Sequence, residues 1–108
     1  MIDYEEFISV DMRVGTIKSA RTNEQARKPA YGLEIDFGDL GTRMSSAQIT
    51  KLYSPQELVG RQVICVVNFP PKQVAGVRSE VLILGVDSYS GVVLLSVDRP
   101  VANGQRVY

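Results

Sequence analysis

Two apolar, β-branched runs, Val63–Asn68 (VICVVN) and Glu80–Val86 (EVLILGV), dominate the second half of the chain. The connection between them carries Pro70, Pro71, Lys72, Gly76, Arg78 and Ser79. Runs of this composition bounded by Gly and Pro read as strands. A chain with two of them must bury them in a sheet, and the connection becomes a cationic, hydroxyl-bearing loop held at one end of that sheet. Loops fixed on a rigid scaffold commonly carry function.

The remaining segments supply the rest of a small β domain. Asp3 is placed to cap one helical turn carrying Tyr4 and Phe7, with Glu5 and Glu6 favourably near its start. That turn is expected to pack over an end of the sheet. Met12–Arg21 reads as a strand in which Gly15 marks a bulge or tight bend. Thr22–Pro29 is polar and reads as a hairpin loop. Tyr31, Leu33, Ile35 and Phe37 alternate with Gly32, Glu34 and Asp36, the period of a half-buried strand. This parity sends both aromatics to the core and leaves the acids outside, so the strand offers no ring on which a base can stack. After the turn residues Gly38–Gly41, Thr42–Ala47 reads as a third strand with a polar face toward solvent. Arg43 and Ser45 share one of its faces, Met44 and Ser46 the other. Ser54-Pro55-Gln56-Glu57 is a capping box with Pro at the first helical position, and Gly60 follows as a stop. Beyond EVLILGV, Tyr89-Ser90-Gly91 turns the chain into a sixth strand, Val92–Val97. Pro100 and Asn103-Gly104 predict a further short hairpin ending at Tyr108.

Strand, strand, strand, helix, strand, strand with a C-terminal extension is the order of an oligonucleotide-binding (OB) fold, an all-β five-stranded barrel. Other small barrels share that order. Two successive apolar strands without alternation call for burial on both faces, more than one small barrel provides. This predicts a symmetric homodimer with the extension in its seam.

The chain has 108 residues, the size of one domain. Its 12 basic and 12 acidic residues cancel, so any RNA affinity has to come from a local patch. Arg13, Lys18, Arg21, Arg27 and Lys28 face only Glu24 in the same stretch, while Asp3, Glu5, Glu6 and Asp11 crowd the N-terminus. There is no histidine, and the single Cys65 sits mid-strand without an imidazole to activate it. Asp36 and Asp39 lack the spacing of a calcium loop. The expectation is a non-catalytic protein without metal or cofactor. An acidic start and the lack of any membrane-length apolar run predict a cytoplasmic chain with no membrane insertion.

Asn68–Gly85, NFPPKQVAGVRSEVLILG, resembles the corresponding segment of the transfer-RNA-binding domain family, which is appended to some aminoacyl-tRNA synthetases and also occurs free-standing. The family pattern matches at Asn68, Pro71, Lys72, Gly76 and Ser79. Where synthetase-type members usually have a short Gly-Met ending, this chain continues Glu80-Val81-Leu82-Ile83-Leu84-Gly85, which resembles the CsaA subgroup of homodimeric secretion chaperones. Phe7–Ile17, Lys28–Gly38 and Arg43–Thr50 resemble segments of that subgroup in the same order.

The resemblance implies an OB fold and a tRNA or other structured RNA as partner. In that fold Arg43, Ser45 and Ser46 of the third strand and Asn68, Lys72, Arg78 and Ser79 of the central loop are expected to line one groove. Their chemistry suits a phosphodiester backbone. The bland reading of the same residues is structural: Asn68 caps a strand end, Pro70 and Pro71 stiffen the loop, and Ser79 bonds locally. The CsaA likeness implies a second function, a chaperone that holds unfolded preproteins for the export machinery. Phe69, Val74, Val77 and Tyr89 would then form apolar clefts near the dimer seam, unless they simply close the core or the dimer. A third reading is a structural dimer whose groove is unused.

Overall fold

The computed structural model describes residues 1–108. Its longest strand, β1 (Met12–Thr22), is bent so that its two halves serve different neighbours. The first half pairs with β4 (Gln62–Val66), from Met12↔Val66 to Thr16↔Gln62. The second half pairs with β2 (Tyr31–Asp36), from Thr16↔Asp36 to Thr22↔Tyr31. With β3 (Thr42–Ala47) and β7 (Leu82–Ile83) the sheet runs β3–β2–β1–β4–β7, a nearly closed five-stranded barrel of the OB type.

Closure between β3 and the chain entering β7 uses mixed backbone and side-chain bonds. Glu80 N–H donates to the Met44 carbonyl at 2.8 Å, and Met44 N–H donates to the Glu80 carboxylate at 3.1 Å. Ser46 N–H donates to Ser79 Oγ at 3.2 Å. Two edge donors of β3 that would otherwise lack strand partners are thereby satisfied by side chains.

The alternation in β2 is realised: Tyr31, Leu33, Ile35 and Phe37 are all buried in the core, with Ile17, Leu58, Val63 and Cys65. Leu58 comes from α2 (Pro55–Leu58), whose capping box forms as expected, Ser54 Oγ accepting from Glu57 N–H and Glu57 Oε1 from Ser54 N–H. Gly15 is not a bulge. The register shift falls between Ile17 and Ser19. Gly15 is instead a point of close approach, since a Cβ there would lie 2.6 Å from Ile35 Cγ2 and 2.8 Å from Phe37 Cε1.

The ends of the chain differ from expectation. α1 (Tyr4–Ile8) has the Asp3 cap, but it buries no residue and is held by polar bonds from elsewhere: Asn68 Nδ2 donates to the Ser9 carbonyl and Arg106 Nη2 to the Ile8 carbonyl. The apolar run Glu80–Val86 is not one strand. Leu84 is a junction after β7, and β8 (Gly85–Ser88) leaves the barrel to pair with β9 (Gly91–Leu94). Gly85 permits the departure, because a Cβ there would sit 2.8 Å from Val92 Cγ1 and 2.9 Å from the Val93 carbonyl oxygen. The tail forms no hairpin of its own. It turns at Gly104 (φ +91°) and runs antiparallel beside the first half of β1, with Val14 N–H donating to the Gln105 carbonyl and Val107 N–H to the Met12 carbonyl.

Candidate nucleic-acid interface

The connection between the two apolar runs is a second hairpin rather than a plain loop. β5 (Lys72–Val74) pairs with β6 (Val77–Ser79) through the two-residue turn Ala75–Gly76. Both turn residues have positive φ, +47° and +85°, as a type I′ turn requires. The Asn23 side-chain amide donates to the Ala75 carbonyl at 3.3 Å and holds the tip against the loop after β1.

Directly paired residues share a face of a hairpin. Lys72 with Ser79 and Val74 with Val77 therefore point one way, and Gln73 with Arg78 the other. Between the first face and the barrel seam lies a groove of about 410 Å³, lined among others by Ser46, Phe69, Lys72, Val74, Ser79 and Leu82. Ser46, Lys72 and Ser79, from the set expected to bind RNA, and Phe69 and Val74, from the set expected to bind peptide, thus share one groove, cationic and hydroxylic on one side and apolar on the other.

Several expected site residues lie elsewhere or are already engaged. Ser45 points inward, 1% exposed, and its hydroxyl donates to the Val81 carbonyl at 3.1 Å. The face of β3 turned outward carries Met44 and Ser46 instead. Ser79 reaches the groove, yet its hydroxyl seals the barrel by accepting from Ser46 N–H. Asn68 uses both ends of its amide: Oδ1 accepts from Asp11 N–H at 3.0 Å while Nδ2 holds Ser9. Its role is to tie down the N-terminal segment. Arg43 does not line the groove and leans toward the Val67 carbonyl at 3.5 Å. Arg78 projects from the outer face of the hairpin. Val77 covers β2 at Gly32, where an added Cβ would be 3.6 Å from Val77 Cγ2. Tyr89 stands at the tip of the β8–β9 hairpin, outside the groove.

The charges sort the same way. The ion pairs are those of Asp11, with Arg13 at 2.7 Å and Arg106 at 3.7 Å. Arg13 also donates to the Gly104 carbonyl, so this member of the basic run is structural. Lys72, Arg78 and Arg43 have no carboxylate partner. Glu80 lines the groove, with its carboxylate bonded to Met44 N–H. Glu80 and Leu82 were not among the expected site residues. Leu82, 49% exposed, had a legible signal: between Val81 and Ile83 it has the outward parity of a half-buried strand.

Cys65 is buried, and desolvation pushes its thiol up to about 12. No three His, Cys, Asp or Glu side chains are grouped to hold a metal ion, and no helix is long and apolar enough to cross a membrane.

Comparison with known proteins agrees with this geometry. The family described as putative tRNA binding domain matches residues 12–106. The crystal structure of the chaperone CsaA from Bacillus anthracis is 50% identical, with a TM-score of 0.93 over 100% of this chain and 99% of that one. The CsaA chaperone from Picrophilus torridus is 48% identical, with a TM-score of 0.94 over the whole of both chains. A MetRS-related protein from Pyrococcus horikoshii is 33% identical, with a TM-score of 0.87 over 100% of this chain and 98% of that one. Methionine–tRNA ligases also match: that of Methanopyrus kandleri is 40% identical over 98% of this chain, and that of Thermococcus kodakarensis 34% over 98%. The chain spans only 16% and 14% of the length of these two ligases. A barrel closed at β3, a hairpin standing over its seam and a match across residues 12–106 lead to one assignment: the chain belongs to the putative tRNA binding domain family, in which it is similar to the CsaA type.

Proposed function

We propose that this chain is a single, non-catalytic domain that binds structured RNA of the tRNA class through the groove between the β5–β6 hairpin and the β3 seam, and that it works in the cytoplasm as a homodimer. The observation that carries the reading is Lys72, an exposed ammonium with no carboxylate partner, held at the rim of the groove by a hairpin fixed at both ends. An unpaired cation on a rigid element binds a phosphate without first breaking an internal ion pair. Arg78 extends the positive surface over the outside of the same hairpin. Such a rim follows the shape of an RNA backbone rather than its sequence. Val86, Val93 and Leu95 on the C-terminal extension, with Leu82 at the edge of the barrel, are between 37% and 53% exposed. These side chains support a subunit seam, because a small barrel gains by covering them.

The apolar wall of the groove favours a second reading. Phe69 and Leu82 are about half exposed, and with Pro70 and Val74 they offer a surface for an extended apolar segment of an unfolded preprotein on its way to export. The likeness to CsaA chaperones agrees with it.

Fluorescence anisotropy with bulk tRNA at about 50 mM and about 200 mM salt separates the two, because counterion release makes phosphate binding fall steeply with salt while apolar contacts change little. The expected result is salt-sensitive binding whose log–log slope falls by about 1 in Lys72→Ala. Peptide binding with no tRNA binding at the lower salt would overturn the RNA reading and leave the chaperone.

A further inference from the structure

The β8–β9 hairpin turns through only Tyr89 and Ser90, between the paired Ser88 and Gly91. The Ser88 hydroxyl donates to the Gly91 carbonyl at 2.6 Å and fixes the turn. On this fixed backbone the Tyr89 ring is completely exposed and packs on nothing. Gly91 lets the hairpin lie directly on the turn that follows β3, since a Cβ there would sit 2.9 Å from Lys51 Cβ and 3.4 Å from Leu52 Cγ. Tyr89, Lys51 and Lys28 consequently share a depression of about 460 Å³ with the polar side chains of Gln48, Thr50 and Ser88. Asp87 lines it as well, but neither lysine is ion-paired. No residue of this depression belongs to the groove of Lys72.

We infer that this depression is a second RNA contact, in which Tyr89 stacks on an unpaired base while Lys28 and Lys51 hold the phosphates beside it. The inference rests on the RNA-binding reading above and extends it to the single-stranded part of the ligand. A free aromatic face sharing a depression with two cations is the combination that binds single-stranded nucleic acid, because every base has a face to stack and every nucleotide a phosphate to pair. Bases inside a helix already have their faces covered, so the nucleotide comes from a loop or an end of the RNA. Most of its lining side chains carry a polar or charged group, which suits a nucleotide better than an apolar peptide. Lys28 of the basic run, together with Lys51 from the turn after β3, thereby gains a role that Arg13 does not share.

The test uses two probes on the intact protein: bulk tRNA, and a single-stranded oligouridylate of about 12 nucleotides, a length an OB fold accommodates. Tyr89→Ala is expected to weaken oligouridylate binding by roughly 5- to 150-fold, the range of one lost base stack. Tyr89→Phe, which keeps the ring, is expected to retain it. Lys51→Ala is expected to lower the salt slope by about 1. Wild-type binding of tRNA with all three variants behaving as wild type on both probes would overturn this contact and leave the Lys72 groove standing. Failure of the wild type to bind either RNA would overturn both. A change of sedimentation coefficient in Tyr89→Ala would also overturn it, since the ring would then belong to a subunit contact.

Discussion

Ser79 is the residue at which a binding role and a structural role make opposite predictions. Replacing it with Ala removes the acceptor for Ser46 N–H and the weaker bond to the Val81 carbonyl at 3.4 Å. The Val81 carbonyl keeps the Ser45 hydroxyl, and the Glu80 N–H bond to Met44 is untouched. The loss therefore reduces to one backbone donor of β3. An unmade bond to a buried donor costs about 1–3 kcal/mol. Ser46 is half-buried on the groove wall, within reach of water, which places Ser79→Ala at the lower end, about 1 kcal/mol. In a domain of this size that lowers Tm by roughly 4–8 °C. Urea unfolding followed by circular dichroism, at one protein concentration so that any association is held constant, is expected to show a lower midpoint with an unchanged m-value. Affinity for tRNA, measured well below the transition, is expected to stay within about twofold of wild type, under half a kcal/mol. An unchanged midpoint with a loss of about tenfold or more in affinity, roughly 1.4 kcal/mol, would refute the reasoning. The hydroxyl would then be a ligand group and the seam would not need it.

Gly15→Ala is expected to destabilise the barrel by about 2 kcal/mol, since the new methyl group meets the fully buried Ile35 and Phe37 and overpacking of this kind costs about 1–3 kcal/mol. A urea midpoint equal to wild type would show that these side chains have room to move. Cys65 gives an alkaline signature: burial pushes its folded pKa up to about 12 from the ordinary thiol value of 9.0, so below pH 9 its contribution to stability is complete. As pH rises from 9 toward 12 the unfolded chain releases this proton and the folded chain keeps it. Stability is therefore expected to fall by up to about 1.4 kcal/mol per pH unit more steeply in wild type than in Cys65→Ala, with parallel curves refuting the assignment.

How far the sequence could be read depended on how local the decisive contact was. In Tyr31–Phe37 the period of two was direct evidence, because one face meets the core and the other does not. In TRMSSA the same rule stalls: Ser45 and Ser46 are chemically identical, and it is the register with β2, Leu33 opposite Ser45, that turns Ser45 inward, where its hydroxyl meets the Val81 carbonyl. The β5–β6 hairpin was hidden for a related reason. Its turn lacks an Asn-Gly or Asp-Gly pair, and the left-handed Ala75 is braced by Asn23, far away in sequence. EVLILGV looked like one strand because an apolar run does not record where one partner ends and the next begins; here the change comes around Leu84 and Gly85. Candidate binding residues fall under the same distinction. Side-chain type showed which atoms were available, whereas register and packing decide which are already used. Asn68, Ser45 and Ser79 have the chemistry to hold a phosphodiester, but their hydrogen bonds are directed inward to Ser9 and Asp11, to Val81, and to Ser46. Lys72 and Arg78 have charges that no carboxylate takes up. Tyr89 has a face that no side chain covers. Ligand binding is to be sought where chemistry of the right kind remains unspent after folding, and this shifts weight from the loop's hydroxyl and amide groups to its cations and to an aromatic tip on the C-terminal extension.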